Sequence, residues 1–166
     1  MSVHPVLRIP EPVLAQPCVP VTQVGAGERA LADALFATMA VSPGCVGLAA
    51  NQIGVSVAAF VINVTGHPKT DVSHGAFMLF NPVLVAHNTP HLAREGCMSV
   101  PDLTGDVVRA FEITVRGLDI DGRPREITTN AFEARAIQHE LDHLAGLVFL
   151  DRVASPAAVH PRKRYR

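Results

Sequence analysis

Asn130-Ala131-Phe132-Glu133-Ala134-Arg135-Ala136-Ile137-Gln138-His139-Glu140-Leu141-Asp142-His143-Leu144-Ala145-Gly146 reads as one helix with its own start and stop signals. Asn130 with Glu133 three places on has the form of a capping box, Asn standing in the Ser/Thr place. No Gly or Pro interrupts Ala131–Ala145, and Gly146 supplies a left-handed stop. Phe132, Ala136, Ile137, Leu141 and Leu144 make an apolar stripe that must face a core. A helix this apolar is covered on most sides, so the ionisable residues it carries need partners.

His139 and His143 are four apart on that helix. Such a pair lies one above the other, about 5–6 Å between Cβ atoms, so both imidazoles can reach one metal ion. Glu140 sits between them, the HExxH arrangement of metal-dependent hydrolases, in which the metal acidifies a water and the glutamate handles its protons. The plainer alternative is two core histidines bonded to backbone, which leaves Glu140 unexplained. Two nitrogens do not close a site. The strongest third ligand is Cys97, in Glu95-Gly96-Cys97-Met98-Ser99-Val100-Pro101, where Gly96 and Pro101 bracket a tight polar segment. Cys18 and Cys45 read as small buried hydrophobes, and without a CxxC there is neither a Cys₄ knuckle nor a disulfide framework. One thiolate, two imidazoles and an open fourth position describe a catalytic centre. A third segment, Gly44-Cys45-Val46-Gly47-Leu48-Ala49-Ala50-Asn51-Gln52-Ile53-Gly54, is built of small residues that let backbone approach a ligand. Gln52 offers it a neutral amide donor for a developing oxyanion.

Working outward, Glu28–Met39 is expected to be a helix, Val55–Val64 a strand, and Phe77–His87 one or two strands broken at Asn81-Pro82. Phe111–Ile120 alternates and turns at Asp121-Gly122 into Arg125–Thr129, a hairpin, and Leu147–Leu150 reads as a short strand. Strands clustered between two helices predict an α+β fold: small antiparallel β-sheets packed around the C-terminal HExxH helix, with an N-terminal helix. The 166 residues suit one domain over 1–166, of which about 153–166 forms a short basic tail after the last element. A net charge of −1 argues against a general nucleic-acid or specific DNA binder. The prolines of Met1–Pro10 do not suit a signal peptide, and no apolar run reaches membrane length. Three unpaired cysteines fit a reducing, cytoplasmic setting.

Together, Gly47-Leu48-Ala49-Ala50-Asn51-Gln52, Glu95-Gly96-Cys97-Met98-Ser99 and Gln138-His139-Glu140-Leu141-Asp142-His143 resemble, in order and spacing, the three signature motifs of the peptide deformylases. The resemblance extends to Val6-Leu7-Arg8-Ile9-Pro10, Phe80-Asn81-Pro82, Val108-Arg109 and Leu118-Asp119-Ile120-Asp121-Gly122. Departures are Cys45 at the first glycine of the family's opening Gly-x-Gly, Met98 for the commoner leucine, Ala145 for Asn or Asp, and the lack of a long charged C-terminal helix. The resemblance implies hydrolysis of the formyl group from the N-terminal formylmethionine of new polypeptides, with formate released. It implies Cys97, His139 and His143 as ligands, Glu140 as acid/base, and Gln52 with the Met98 N–H on the oxyanion. Gly47 and Val46 would line the substrate cleft. Asp142 is a candidate to orient a ligand and Glu95 to pair with Arg109 beneath the site, against the commoner fate of a surface salt bridge. Ligand type leaves zinc, iron, nickel and cobalt open for the one divalent ion per chain. The resemblance implies Fe(II). An HExxH peptidase, a non-catalytic metal or redox sensor, and an amidase acting on another N-formyl compound are the rival classes. The basic end Pro161-Arg162-Lys163-Arg164-Tyr165-Arg166 reads either as a solvated terminus or as a weak, salt-sensitive contact to ribosomal RNA.

Overall fold

The computed structural model of the chain describes residues 2–163. The N-terminal helix α1 spans Ala26–Val41; the Glu28 carboxylate accepts the Gly25 N–H at 2.9 Å and closes its first turn. The HExxH helix α2 spans Ala131–Leu144 and ends, as expected, at a left-handed Gly146 (φ 80°). Its start differs from the expected capping box. Asn130 makes no side-chain cap, and the Glu133 carboxylate instead accepts the Thr129 hydroxyl at 2.8 Å and the His74 N–H at 2.8 Å. Ala131 enters the helix at φ 51°, so the backbone turns into α2 by a route the box does not describe.

Among the described residues six strands lie between and beside these helices: β1 (Gly47–Ala49), β2 (Ala59–Ile62), β3 (Phe77–Cys97), β4 (Val100–Leu118), β5 (Pro124–Asn130) and β6 (Val159–Pro161). All pairs are antiparallel, which the clustering of strands anticipated. They join one sheet of order β1-β2-β3-β4-β5 rather than several small ones, because β3 and β4 are long enough to belong to both ends. β3 continues ten residues past the expected His87. Asn81-Pro82 does not end it: Asn81 takes φ 48° and the register shifts between Phe80 and Val83, so the proline sits at a bulge. The Asn81 amide meanwhile pins the N-terminal segment, accepting Val21 N–H and donating to Val21 O, both at 2.8 Å. β2 is shorter than Val55–Val64: the Val55 N–H still closes the Ala50–Ile53 3₁₀ turn on Ala50 O, and Val57 bridges to Val19 of the N-terminal segment before the sheet pairing begins.

β2 explains where the core sits. Its residues alternate between faces, and all four are buried. Phe60 and Ile62 join Phe77, Leu79, Ile113, Val115 and Ile137 on the α2 side, while Ala59 and Val61 join Leu35, Met39, Met78 and Phe80 on the α1 side. Each large apolar side chain so buried contributes about 1.5–3 kcal/mol. A third cluster, Cys97, Val100, Val107 and Phe149, closes the far end of the β3–β4 hairpin. Phe149 belongs to a 3₁₀ turn, Phe149–Asp151, where a Leu147–Leu150 strand was expected. The Asp151 carboxylate accepts the Val148 N–H at 2.8 Å and holds that turn.

The expected basic tail carries structure. Val153 packs into the third cluster, Pro156–Ala158 forms a 3₁₀ turn, and β6 pairs with Leu103–Gly105 of β4. Arg164, Tyr165 and Arg166, on which half of the basic-end reading rests, lie outside the described residues. No helix among the described residues is long and apolar enough to cross a membrane.

Candidate active site

Cys97 is the last residue of β3, held by pairing to Val100 across the two-residue turn Met98-Ser99. That turn presents the thiol to one face of α2. The ligand atoms of Cys97, His139 and His143 lie within 4.8 Å of one another, and Cys97 Sγ is 3.3 Å from His143 Nε2. The His139 Nδ1–H donates to Glu95 Oε1 at 2.9 Å, which leaves Nε2 of that ring free toward the other two donors. A soft sulfur and two imidazole nitrogens converging on one point, with Cys97 and His143 buried and His139 partly so, fit a divalent transition metal and supply three of the four donors of a tetrahedral site.

Beneath the three donors lies a buried ionic network. Arg109 forks onto Glu95 at 2.8 and 2.9 Å and reaches Asp142 at 2.6 Å. Arg135 adds a third contact to Glu95 at 2.7 Å and also binds the carbonyls of Val107 and His91. Burial alone would raise the Glu95 pKa, but the hydrogen bonds from Arg109 and His139 outweigh it and hold the carboxyl well below its ordinary range. The expected Glu95–Arg109 pair is therefore present and buried. Asp142 differs from its expected part: among the described residues it makes no hydrogen bond to either histidine ring and instead clamps Arg109 and Arg152. The carboxylate bonded to the His139 ring is Glu95.

Glu140 is buried beside the donors, and its Oε2 has no hydrogen-bond partner among the described residues. Burial pushes its pKa up to about 7. Burial likewise holds His143 well below the usual histidine value, so its ring stays neutral. His139 goes the other way, because Cys97 and Glu95 beside it outweigh its burial. Gly47 of β1 backs against Glu140: a Cβ there would stand 2.8 Å from Glu140 Oε1 and 2.9 Å from Ile62 Cδ1. This position admits only glycine while Glu140 keeps its place.

Gln52 is oriented by both ends of its amide. Its Oε1 accepts the Ala49 N–H at 2.9 Å, so Nε2 points to Ser99 Oγ at 3.1 Å and toward Cys97 Sγ at 3.7 Å. Ser99 in turn donates to Leu7 O at 2.7 Å, and Leu7 N–H donates to Gln52 O at 2.7 Å, so the N-terminal segment straps the first two motifs together. Asn51 ties the first motif to the third through His143 O at 2.6 Å. Ser99, Asn51 and Arg135 are structural supports of the site that the sequence reading did not single out. Ser99 and Asn51 stand inside the quoted motifs, which was the available signal; Arg135 had none.

These groups open on a cleft of about 270 Å³ whose lining includes Val46, Gly47, Gln52, Cys97, Met98 and Glu140. Phe132, with His67 stacked on it at 4.3 Å, and Ala136 form its apolar side. A larger groove of about 630 Å³ lies across α2, beside Arg109, Asp142 and Arg152, and none of the three donors lines it.

Comparison with known proteins agrees with this geometry. The polypeptide deformylase family model matches residues 3–158. The peptide deformylase of Acidobacterium capsulatum is 38% identical over 93% of this chain and 89% of its own. That of Halothermothrix orenii is 39% identical over 92% of this chain and 95% of its own. The crystal structure of the Ehrlichia chaffeensis peptide deformylase superposes with a TM-score of 0.87 at 33% identity, over 94% of this chain and 90% of that one. A second structure of that protein, in complex with actinonin, gives 0.87 at 34% identity, over 93% and 91%. With the match running nearly end to end and through all three motifs, this chain belongs to the polypeptide deformylase family.

Proposed function

We propose how this chain's residues carry out the family's reaction, metal-dependent removal of the N-formyl group from nascent polypeptides. The observation that carries the reading is the convergence of Cys97, His139 and His143 within 4.8 Å, with Glu140 beside them in the cleft and its Oε2 without a hydrogen-bond partner among the described residues. A divalent ion held by those three side chains supplies Lewis-acid chemistry and brings the pKa of water toward neutrality. Water adds to the formyl carbon and Glu140 accepts the proton it loses. A carboxylate with a pKa near 7 is matched to taking and returning a proton at neutral pH. The formyl oxygen gathers charge, and Gln52 Nε2–H and the Met98 backbone N–H donate to it. Glu140 then delivers the proton to the amine nitrogen as the C–N bond breaks, releasing formate and a free methionine N-terminus. Gly47 and Val46 backbone guide the peptide, and Phe132 and Ala136 receive the methionine side chain, whose thioether packs well on an aromatic face.

Fe(II) is the proposed working ion, with zinc, nickel and cobalt as ions the same donors accept. The cytoplasm is the proposed location, since the three free thiols suit a reducing compartment. Glu140→Gln tests the acid/base role: it keeps the shape and removes the proton carrier. Formate release is expected to fall at least about 10²-fold while one ion per chain is retained. Near-full turnover in that variant contradicts the role given to Glu140.

A further inference from the structure

β6 places on the cleft a cation that none of the three motifs contains. Arg162 follows β6, and its main-chain N–H donates to Asp102 O at 2.9 Å, which fixes the segment beside the β3–β4 hairpin. Its guanidinium lies over Gly96, next to Cys97: a Cβ on Gly96 would stand 3.5 Å from Arg162 Cζ and Nη2. Arg94 of β3 and Lys69 of the loop between β2 and β3 line the same cleft. Arg94 shares Asp106 with His160 of β6, whereas Lys69 and Arg162 have no carboxylate partner among the described residues. The carboxylates that line the cleft are Glu95 and Glu140; both are buried, and Glu95 is already matched by Arg109, Arg135 and His139. The outer rim is therefore cationic and open to solvent, on a chain whose net charge is −1.

We propose that Arg162, supported by Arg94 and Lys69, is a specificity-determining residue that binds a substrate carboxylate at the second or third residue after formylmethionine, so that acidic N-termini are processed in preference to basic ones. This inference rests on the deformylase reading. An extended peptide advances about 3.3–3.6 Å per residue, so a chain leaving Cys97 across Gly96 meets the Arg162 guanidinium within two or three residues. The guanidinium offers a carboxylate a two-pronged donor, and a solvent-facing pair of this kind alters affinity by a modest, salt-sensitive factor.

The test uses metal-loaded enzyme and C-terminally amidated formyl-Met peptides that differ only in Glu, Gln or Lys at the third residue after formylmethionine, and a second set varied at the second. Formate release should rank Glu, Gln, Lys, with about a 5-fold spread in kcat/KM that lies in KM rather than kcat. The spread should shrink as salt rises, persist in Arg162→Lys, and invert in Arg162→Glu. An unchanged Glu-to-Lys ratio in Arg162→Glu overturns the proposal. So does an equal loss on all three peptides, which would make Arg162 a support for β6 and nothing more. Failure of the wild-type enzyme to deformylate even the Gln peptide would instead strike the deformylase reading itself.

Discussion

Cys97, His139 and His143 are the proposed metal ligands, so metal content is the readout at the residue scale. Cys97→Ser replaces the soft ligand with a hydroxyl and should collapse the metal content, while Cys18→Ser and Cys45→Ser should each keep about one ion per chain. Burial pushes the Cys18 and Cys45 thiols up to about 11 and about 12, so neither is a thiolate at neutral pH. Equal loss in all three variants, or in none, removes Cys97 from the centre. The grouping of these residues was legible because the His139–His143 spacing is local and the cysteine count left few choices. The supporting carboxylate was not. Which of Glu95 and Asp142 faces the His139 ring depends on how β3 lies against α2, and sequence spacing carries no record of that. Arg135 was invisible for the same reason: an Arg on an amphipathic helix reads as solvent-facing until the chain that covers it is placed.

At the scale of elements, β1 and α2 meet at Gly47, and the contact can be tested without touching a ligand. Gly47→Ala puts a methyl 2.8 Å from Glu140 Oε1 and 2.9 Å from Ile62 Cδ1, so the carboxylate must move. A displacement of that size should lower kcat by about 10–10²-fold, with a stability loss of only about 1–3 kcal/mol by thermal melting. Unchanged kcat would separate Glu140 from its proposed position. Both helices and the Phe111–Thr129 hairpin were readable because their signals repeat over many residues. β6 was not: Val159-His160-Pro161 is three residues long and contains a proline, too little pattern to distinguish from a loop. Its pairing to β4 depends on an edge that only the assembled sheet provides. The basic end consequently looked separate from the cleft, and the structure brings Arg162 to it.

For the molecule as a whole, the sheet lies between two helices and the ionic network under the site joins β3, β4 and α2. Glu95 carries the pH dependence of that network. Its folded pKa is depressed, so its stabilisation is fully present above the ordinary carboxylate value of 4.5 and is lost as pH falls through the folded value. The Glu95 share of stability should therefore be constant from neutral pH down to about 5 and decline only in stronger acid, whereas changes in the urea midpoint nearer neutrality belong to Glu140, His139 and His143. Glu95→Gln leaves Arg109 and Arg135 buried without their shared charge and should cost about 3–5 kcal/mol at neutral pH, with a shallower acid decline. An acid decline just as steep in Glu95→Gln as in the wild type would contradict this view of Glu95. Which bond the enzyme breaks is tested most directly by one comparison: formate release from a formyl-Met peptide measured beside cleavage of the same peptide without its formyl group. Formate released in step with new free methionine N-termini, with the unformylated peptide left intact, is the expected result. Cleavage of internal peptide bonds, or no formate from the formylated peptide by the metal-loaded enzyme, would contradict it.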